Sequence, residues 1–216
     1  MRLFVTGGTG VLGSAFIPLA RAAGHDLRAP THGELDLFDA AAVIDVVHDV
    51  DAVLHLATRI RSLDQLADLD AWRDNDRLRA DVSSILVDAA LAGDACAYIQ
   101  PTVAFVYPAG GSTTEDTPLG EVLPTVRSAL AAEEQTARFA AAGRRGVVLR
   151  LGLLDGPGTG NDEAVRDFGA SLHVADAALA LLAALTVPSG IYTVCRDHES
   201  VTNRRFSTAA GWRPQR

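Results

Sequence analysis

Lysine is absent from this chain: all 19 basic residues are arginine, set against 27 acidic residues for a formal net charge of −8. No chemistry that needs a lysine amine can operate within it. The richness in alanine beside this arginine-only usage points to genomic base composition as the cause. The negative balance disfavours a nucleic-acid partner, because phosphate backbones are held by clustered positive charge. The short basic pairs Arg144-Arg145 and Arg204-Arg205 read as solvated surface. Cysteine is scarce as well. Cys96 and Cys195 sit in apolar strand-like contexts without metal-ligand spacing, so buried free thiols are expected and no metal site is. No apolar run approaches a membrane span, which argues against a membrane partner. The chain enters a strand pattern at once, so neither a cleavable leader nor a compartment other than the cytoplasm is expected. Its 216 residues suit a single domain, 1–216, with a substantial core.

What is present begins at residue 1. Met1 to Gly13 is an apolar strand, a glycine-rich turn and the start of an apolar helix. Gly7 permits a tight turn, Gly10 lets a pyrophosphate approach the backbone, and Gly13 lets the helix pack close. A helix N-terminus there offers unpaired N–H groups and a positive dipole end to phosphates, which makes Gly7, Thr9, Gly10, Val11, Leu12 and Gly13 the candidate pyrophosphate cradle. The ligand implied is a dinucleotide.

The periodicity then alternates. Leu12, Phe16, Leu19, Ala20 and Ala23 recur at helical spacing until Gly24, His25 to Pro30 reads as a second strand, and Leu37 to His48 as a second helix capped by Asp36 or Asp39. Asp51 to Thr58 is a third strand of the kind buried on both faces. A polar stretch from Arg59 to Asp74 is expected as loop, either covering a cofactor or lying on the surface. Leu78 to Ala92 makes a long helix, Ala95 to Val106 holds a fourth strand, Val126 to Ala142 an alanine-rich helix, Gly146 to Leu151 a fifth strand. A further helix over Val174 to Leu185, a last strand Ile191 to Cys195 and a short helix in Arg204 to Arg216 complete the chain. Six strands alternating with helices predict an α/β, doubly wound parallel sheet in the order 3-2-1-4-5-6. After the second strand, where an acid would bond a ribose 2′-OH, stand Thr31 and His32, with Glu34 and Asp36 further on. That tilts the expectation toward NADP, with NAD the alternative. Arg28 could assist if it faced the ligand, or could reach the surface instead.

These residues resemble the extended short-chain dehydrogenase/reductase superfamily, the NAD-dependent epimerases and dehydratases with their Rossmann fold. Thr6 to Gly13 matches the glycine loop, Asp36-Leu37 the acidic pair near adenine, and His55-Leu56-Ala57-Thr58 the strand beneath the cofactor. Val106-Tyr107, Leu149 to Gly158 and His173-Val174-Ala175-Asp176 follow in family order. The resemblance implies cofactor contacts at Asp36, Leu37, Leu56, Ala57 and Thr58, and dimerisation through the helices at 78–92 and 126–142. It also implies a Tyr-x-x-x-Lys pair after the fourth strand, and here the chain departs. Thr125 and Ala129 stand where the pair belongs, and no tyrosine occurs between Tyr107 and Tyr192. The family's strand-end hydroxyl position falls on Val103, with Thr102 beside it. Arg79 stands at the family's helix asparagine, either clamping an anionic substrate or pairing with Asp76 or Asp81. The segment between Gly158 and His173 is short, so the C-terminal substrate lobe is much reduced. The chain resembles the atypical branch that keeps the fold and loses the standard active site.

Two functions compete on this reading. One is an oxidoreductase or epimerase on a small hydroxyl or carbonyl compound, sugar-like in the resemblance, with Tyr107 and Thr102 as improvised catalytic residues. The other is a non-catalytic NADP-binding sensor or scaffold. A tyrosine without a neighbouring cation has no evident means of lowering its pKa from about 10.

Overall fold

The opening run Arg2–Thr6 forms strand β1, and its side chains divide between the two faces as a pleated strand requires. Leu3 and Val5 join one core, Phe4 the other. The architecture comes from a computed structural model that describes residues 1–60, 65, 68–108, 112–161 and 170–216. Gly110 and Gly111 of the expected loop, and parts of the 59–74 and 158–173 stretches, lie outside the described residues.

After β1 come α1 (Val11–Ala22), β2 (Asp26–Arg28), α2 (Ala40–Val47) and β3 (Ala52–His55). A nearly continuous helix follows as α3 (Leu69–Arg77), a π turn (Leu78–Val82) and α4 (Ser83–Ala92). Next are β4 (Ala97–Val103), a 3-10 turn (Ala104–Val106), a second such turn (Pro124–Val126), α5 (Arg127–Ala141) and β5 (Arg145–Leu151). The chain closes with β6 (Leu153–Asp155), β7 (Ser171–His173), α6 (Val174–Ala184), β8 (Gly190–Val194) and α7 (Arg204–Ala210).

The main sheet is six-stranded and parallel, as the alternating pattern predicts, but its order is β2-β1-β3-β4-β5-β8. The third strand is not the outer one. Helix α2 carries the chain back across β1, so Leu3, Phe4, Val5 and Thr6 pair with Ala52, Val53, Leu54 and His55, and β2 is left as the edge. The order in which strands are added to the sheet therefore reverses between β1 and β3, and the crevice outside their carboxyl ends is the switch point where this architecture takes ligands. Strands β6 and β7 form a small second parallel pair that the hydrophobic pattern does not announce.

One core packs Leu3, Val5, Leu54, Ile99 and Leu149 against Phe16 and Ala20 of α1, Leu181 of α6 and Phe206 of α7. The opposite core packs Phe4, Val53 and Tyr98 against Val43, Val47, Leu86, Val87 and Phe139. Asp39 caps α2 by accepting from the N–H groups of Ala41 and Ala42 at 3.1 Å. Three expectations change. The 59–74 stretch is not all loop, since α3 starts at Leu69, capped by Asp68, and buries Trp72, whose indole donates to the Gln65 carbonyl at 2.9 Å. Arg144 is not solvated surface, because its guanidinium collects the carbonyls of Ala90, Leu91, Gly93 and Ala95 and so closes the end of α4. Cys96 is exposed; Cys195 alone of the two is buried, which pushes its thiol up to about 12.

Candidate dinucleotide and substrate site

The glycine loop is built by steric exclusion. Gly7 has φ +68°, and a Cβ there would lie 2.6 Å from the Ala57 nitrogen at the end of β3. At Gly13 a Cβ would lie 2.3 Å from the Gly7 carbonyl, so the helix packs onto its own entry loop rather than on the strand. Gly10 meets only that carbonyl, at 3.2 Å, and stays exposed toward the crevice. No side chain caps α1 and no acid sits in its first turn. Among the described residues the N–H groups of Val11, Leu12 and Gly13 have no backbone acceptor, whereas Ser14 already bonds Gly10. Three orphan donors beside exposed Thr9 fit a pyrophosphate by shape and charge. From the other side of the crevice, a Cβ added at Gly158 (φ +81°) would lie 3.8 Å from Val11 Cγ2, so the loop after β6 runs beside the start of α1.

A directed chain of hydrogen bonds fixes the strand ends beneath the cradle. The Ala57 N–H donates to Thr6 Oγ1 (3.1 Å), and that hydroxyl meets His55 Nδ1 (2.7 Å). His55 Nε2 meets the Leu78 carbonyl (2.9 Å) at the start of the π turn, and because a carbonyl can only accept, the ring carries its proton on Nε2. Burial pushes His55 down to about 4, with the Arg79 cation adding to the effect. The imidazole is thus neutral, a strut between glycine loop and π turn. Leu56 is buried, Ala57 half-buried and Thr58 exposed along the same crevice wall.

At the ribose end the structure changes the sequence expectation. Arg28 turns away from the crevice to the Val46 carbonyl (2.5 Å) and Asp49 (3.1 Å). Glu34 folds back so that its carboxylate accepts from both the N–H and hydroxyl of Thr31, each at 2.8 Å, which lowers its pKa. The acid missing from the strand end in sequence is therefore returned there by a turn. His32 and Asp36 are exposed, Leu37 is half-buried, and Asp36 accepts from the Phe38 N–H at 3.0 Å.

On the substrate side, the two residues named from sequence part company. Thr102 is buried, and its hydroxyl donates to Glu133 Oε1 (2.9 Å). Glu133 also receives Arg150 through Nε (3.0 Å) and Nη2 (2.7 Å), so Thr102 braces an ion pair between α5 and β5 and has no hydrogen left for a substrate. Its hydroxyl points to α5 because β4 continues to Val103 without the shift that would turn Thr102 to the crevice. Tyr107 is half-buried with its hydroxyl 2.6 Å from Thr193 Oγ1. Arg150 lies 5.0 Å from its ring centroid, a cation that the sequence did not reveal because it comes from the next strand. Burial nonetheless raises the Tyr107 pKa, against the lowering effects of Thr193 and Arg150. The positions of the missing pair, Thr125 and Ala129, are both buried beside the end of β4, where Val126 and Ala129 pack on Val103 and Val106.

Of the two roles the sequence allows Arg79, a clamp on an anion or an ion pair with Asp76 or Asp81, the surface ion pair is not formed. Only 4% of it is exposed, its Nε has no hydrogen-bond partner, and Asp76 acts on it through charge alone. Asp81 pairs instead with Arg77. Burial holds the Arg79 guanidinium down to about 10. Among the described residues no cluster of His, Cys, Asp or Glu could hold a metal ion, and no helix is long and apolar enough to cross a membrane.

Known proteins resemble this chain in sequence or in fold. A 3-diazoavenalumate denitrifying reductase from a Streptomyces species is 33% identical over 195 residues, covering 81% of this chain. The chain spans 62% of that relative's length. Among solved structures, MoeE5 in complex with UDP-glucuronic acid and NAD superposes with a TM-score of 0.83 at 19% identity, covering 100% of this chain and 94% of that one. The UDP-N-acetylglucosamine 4-epimerase from Bacillus cereus gives 0.82 at 19% identity with the same coverage. At that identity the superpositions speak for the fold. Residues 3–168 match the model of the NAD dependent epimerase/dehydratase family, and with the glycine loop, the switch point and the adjoining motifs in place, the chain belongs to that family.

Proposed function

We propose that the protein is an NAD(P)-dependent reductase of a small acceptor, one whose reduction does not require a protein base. The carrying observation is the cradle itself: three uncapped N–H donors at α1 with glycines where any Cβ would collide. Gly7, Thr9, Gly10, Val11, Leu12 and Gly13 would hold the pyrophosphate, Thr31, His32 and Glu34 the adenosine ribose, and Asp36, Leu37, Leu56, Ala57 and Thr58 the adenine side. The reduced dinucleotide would supply a hydride when bound. The protein's own part is to hold an acceptor at the end of β4 and to exclude water there.

Epimerisation and dehydration need a group that takes a proton away, and among the described residues at the end of β4 the tyrosine is held protonated and the acid Glu133 is engaged by Arg150. Tyr107 is held protonated, so we assign it a neutral role, donating a hydrogen bond or orienting the acceptor; Thr102 acts through Glu133 and Arg150. The name of the Streptomyces relative, a denitrifying reductase of a diazo compound, supports an acceptor class that takes hydride without protonation of an oxygen. The NAD named in the MoeE5 complex supports a dinucleotide on this fold, and its UDP-glucuronic acid does not decide the substrate of this chain. For the dinucleotide, Glu34 at Thr31 and the retreat of Arg28 favour NAD over NADP, since a carboxylate repels a 2′-phosphate and accepts from a 2′-OH.

Calorimetric titration of the purified protein with both dinucleotides tests the binding, and loss of the reduced-nicotinamide absorbance with a panel of diazo, imine and carbonyl acceptors tests the chemistry. Binding of either dinucleotide with turnover of an acceptor supports the reading. Binding without turnover of any acceptor would leave a sensor; binding of neither would remove the proposal. A homodimer through α4 and α5 is part of this proposal, and sedimentation showing a monomer at all concentrations would dismiss it.

A further inference from the structure

Buried polar atoms without partners concentrate in one part of the molecule. Of the described side chains, Asn75 Nδ2, Asp76 Oδ1, Arg79 Nε, Thr125 Oγ1 and Ser128 Oγ are all buried and unpaired. Asn75 and Arg79 are one turn apart on the helix that passes from α3 into the π turn, and Thr125 and Ser128 stand three apart at the entry to α5. These elements pack against one another. The π turn is tied to the end of β3 by the His55 bond to Leu78, and the entry of α5 packs on the end of β4. The unpaired groups therefore lie at the β3 and β4 side of the crevice, beyond the pyrophosphate cradle.

A buried guanidinium is costly when its nearest carboxylate, here Asp76, acts on it only through space and makes no hydrogen bond to it, as are buried hydroxyls and amides without partners. The register makes the arrangement more than a misplaced rotamer. Asp76, the carboxylate nearest in sequence, leaves its own Oδ1 unpaired rather than taking Arg79, and Asp81 is engaged by Arg77. The π turn moves the arginine off the regular helical repeat, and π turns recur at functional sites. Four donors are thus presented by Asn75, Arg79, Thr125 and Ser128, with one positive charge and the Asp76 carboxylate beside it as the acceptor an incoming anion must outcompete.

We propose that Arg79, with Asn75, Thr125 and Ser128, is a receptor for a carboxylate carried by the substrate. This deepens the reductase reading and rests on it for the location of the substrate. A guanidinium edge matches a carboxylate through two parallel hydrogen bonds, and the hydroxyls can donate to the remaining lone pairs. A phosphate dianion would call for a second cation, and the neighbouring arginines are committed: Arg77 stacks over Phe38 and pairs with Asp81, and Arg127 is exposed. The substrate class is a small monocarboxylate whose reducible group lies toward the end of β4.

The test is calorimetric titration of the full chain with benzoate, benzamide and phenyl phosphate, each with and without saturating NAD⁺, on the wild type, Arg79→Gln and Arg79→Lys. The expected result is benzoate binding at least about tenfold tighter than benzamide to the wild type, a preference abolished in Arg79→Gln and only weakened in Arg79→Lys. Equal binding of benzoate and benzamide to the wild type overturns the proposal even if neither variant folds, and so does a preference that survives Arg79→Gln. Tighter binding of phenyl phosphate than of benzoate overturns the carboxylate assignment. If the wild type binds neither NAD⁺ nor NADP⁺ while preferring benzoate, the reductase reading falls and the carboxylate receptor stands.

Discussion

Replacing Glu133 by alanine removes both acceptor oxygens that hold Arg150 and the one that takes the Thr102 hydroxyl. The two charged side chains are 4% and 7% exposed, so solvent screens the pair little. Burial alone would weaken the Arg150 charge, but the bonds and charge of Glu133 hold it firmly protonated, and the variant would leave that cation uncompensated inside the protein. Breaking a buried pair from one side costs about 3–5 kcal/mol, a large part of a typical total stability of about 5–15 kcal/mol. At about 2–4 °C per kcal/mol for a chain of this size, the melting temperature should fall by roughly 6–20 °C in a calorimetric scan. The companion Glu133→Leu, Arg150→Met double variant carries no orphan charge and should recover most of the loss, because apolar replacements of a buried pair are often neutral or stabilising. A fall below about 3 °C for Glu133→Ala, or a double variant less stable than the single, would refute the reasoning. Because Arg150 also lies over Tyr107, the single variant should loosen that ring as well, seen as a change in tyrosine fluorescence.

Other expectations follow from the crevice. Gly7→Ala places a Cβ on left-handed backbone, about 1–2 kcal/mol by itself before its collision with Ala57 is counted, and should abolish dinucleotide binding in calorimetry. Because His55 is lowered from its ordinary 6.5 to about 4, the unfolded chain binds the extra proton between those values. Stability present above pH 6.5 should therefore decline by about 3 kcal/mol as the pH falls toward 4, then level off, and His55→Gln should flatten that part of a melting-temperature profile. Glu34→Gln should raise NADP affinity relative to NAD by roughly tenfold, the effect of one removed charge of about 1.4 kcal/mol, and an unchanged ratio in titrations would place Glu34 away from the ribose. Tyr107→Phe should keep turnover within about tenfold of wild type, with no new limb in the pH–rate profile up to pH 9; a hundredfold loss would restore Tyr107 as a proton donor.

Periodicity and glycine placement carried the element pattern and the cradle, because those are local properties: Gly7 and Gly13 are forced by contacts within the loop or with an adjacent strand. Strand order was not legible, since whether β3 joins β1 or β2 depends on which way α2 crosses the sheet, and nothing in Ala40–Val47 marks that direction. The π turn was hidden for a related reason. The stripe Leu78, Val82, Ile85, Leu86 and Ala89 fits an ordinary helix, and one extra residue in its register turns Arg79 from surface to interior. Thr102 was read as a substrate contact because its partner Glu133 lies thirty-one positions along, on a helix whose inward face includes an acid. The sequence signal that could have exposed the pair is the occurrence of one acid and one arginine at positions where α5 and β5 are otherwise apolar.

Both margins of the sheet bear on assembly. At one, β2 is a three-residue strand whose outer residues Asp26 and Arg28 are charged and exposed. At the other, the outward N–H of Thr193 in β8 is already taken by the Glu115 carboxylate at 2.7 Å, and Arg205 holds that carboxylate in place. A short charged strand and a plugged N–H are the means by which sheet proteins prevent strand addition from another chain. Strand addition at either margin of the six-stranded sheet is thereby opposed, and the protein should resist the edge-to-edge aggregation that open parallel sheets invite.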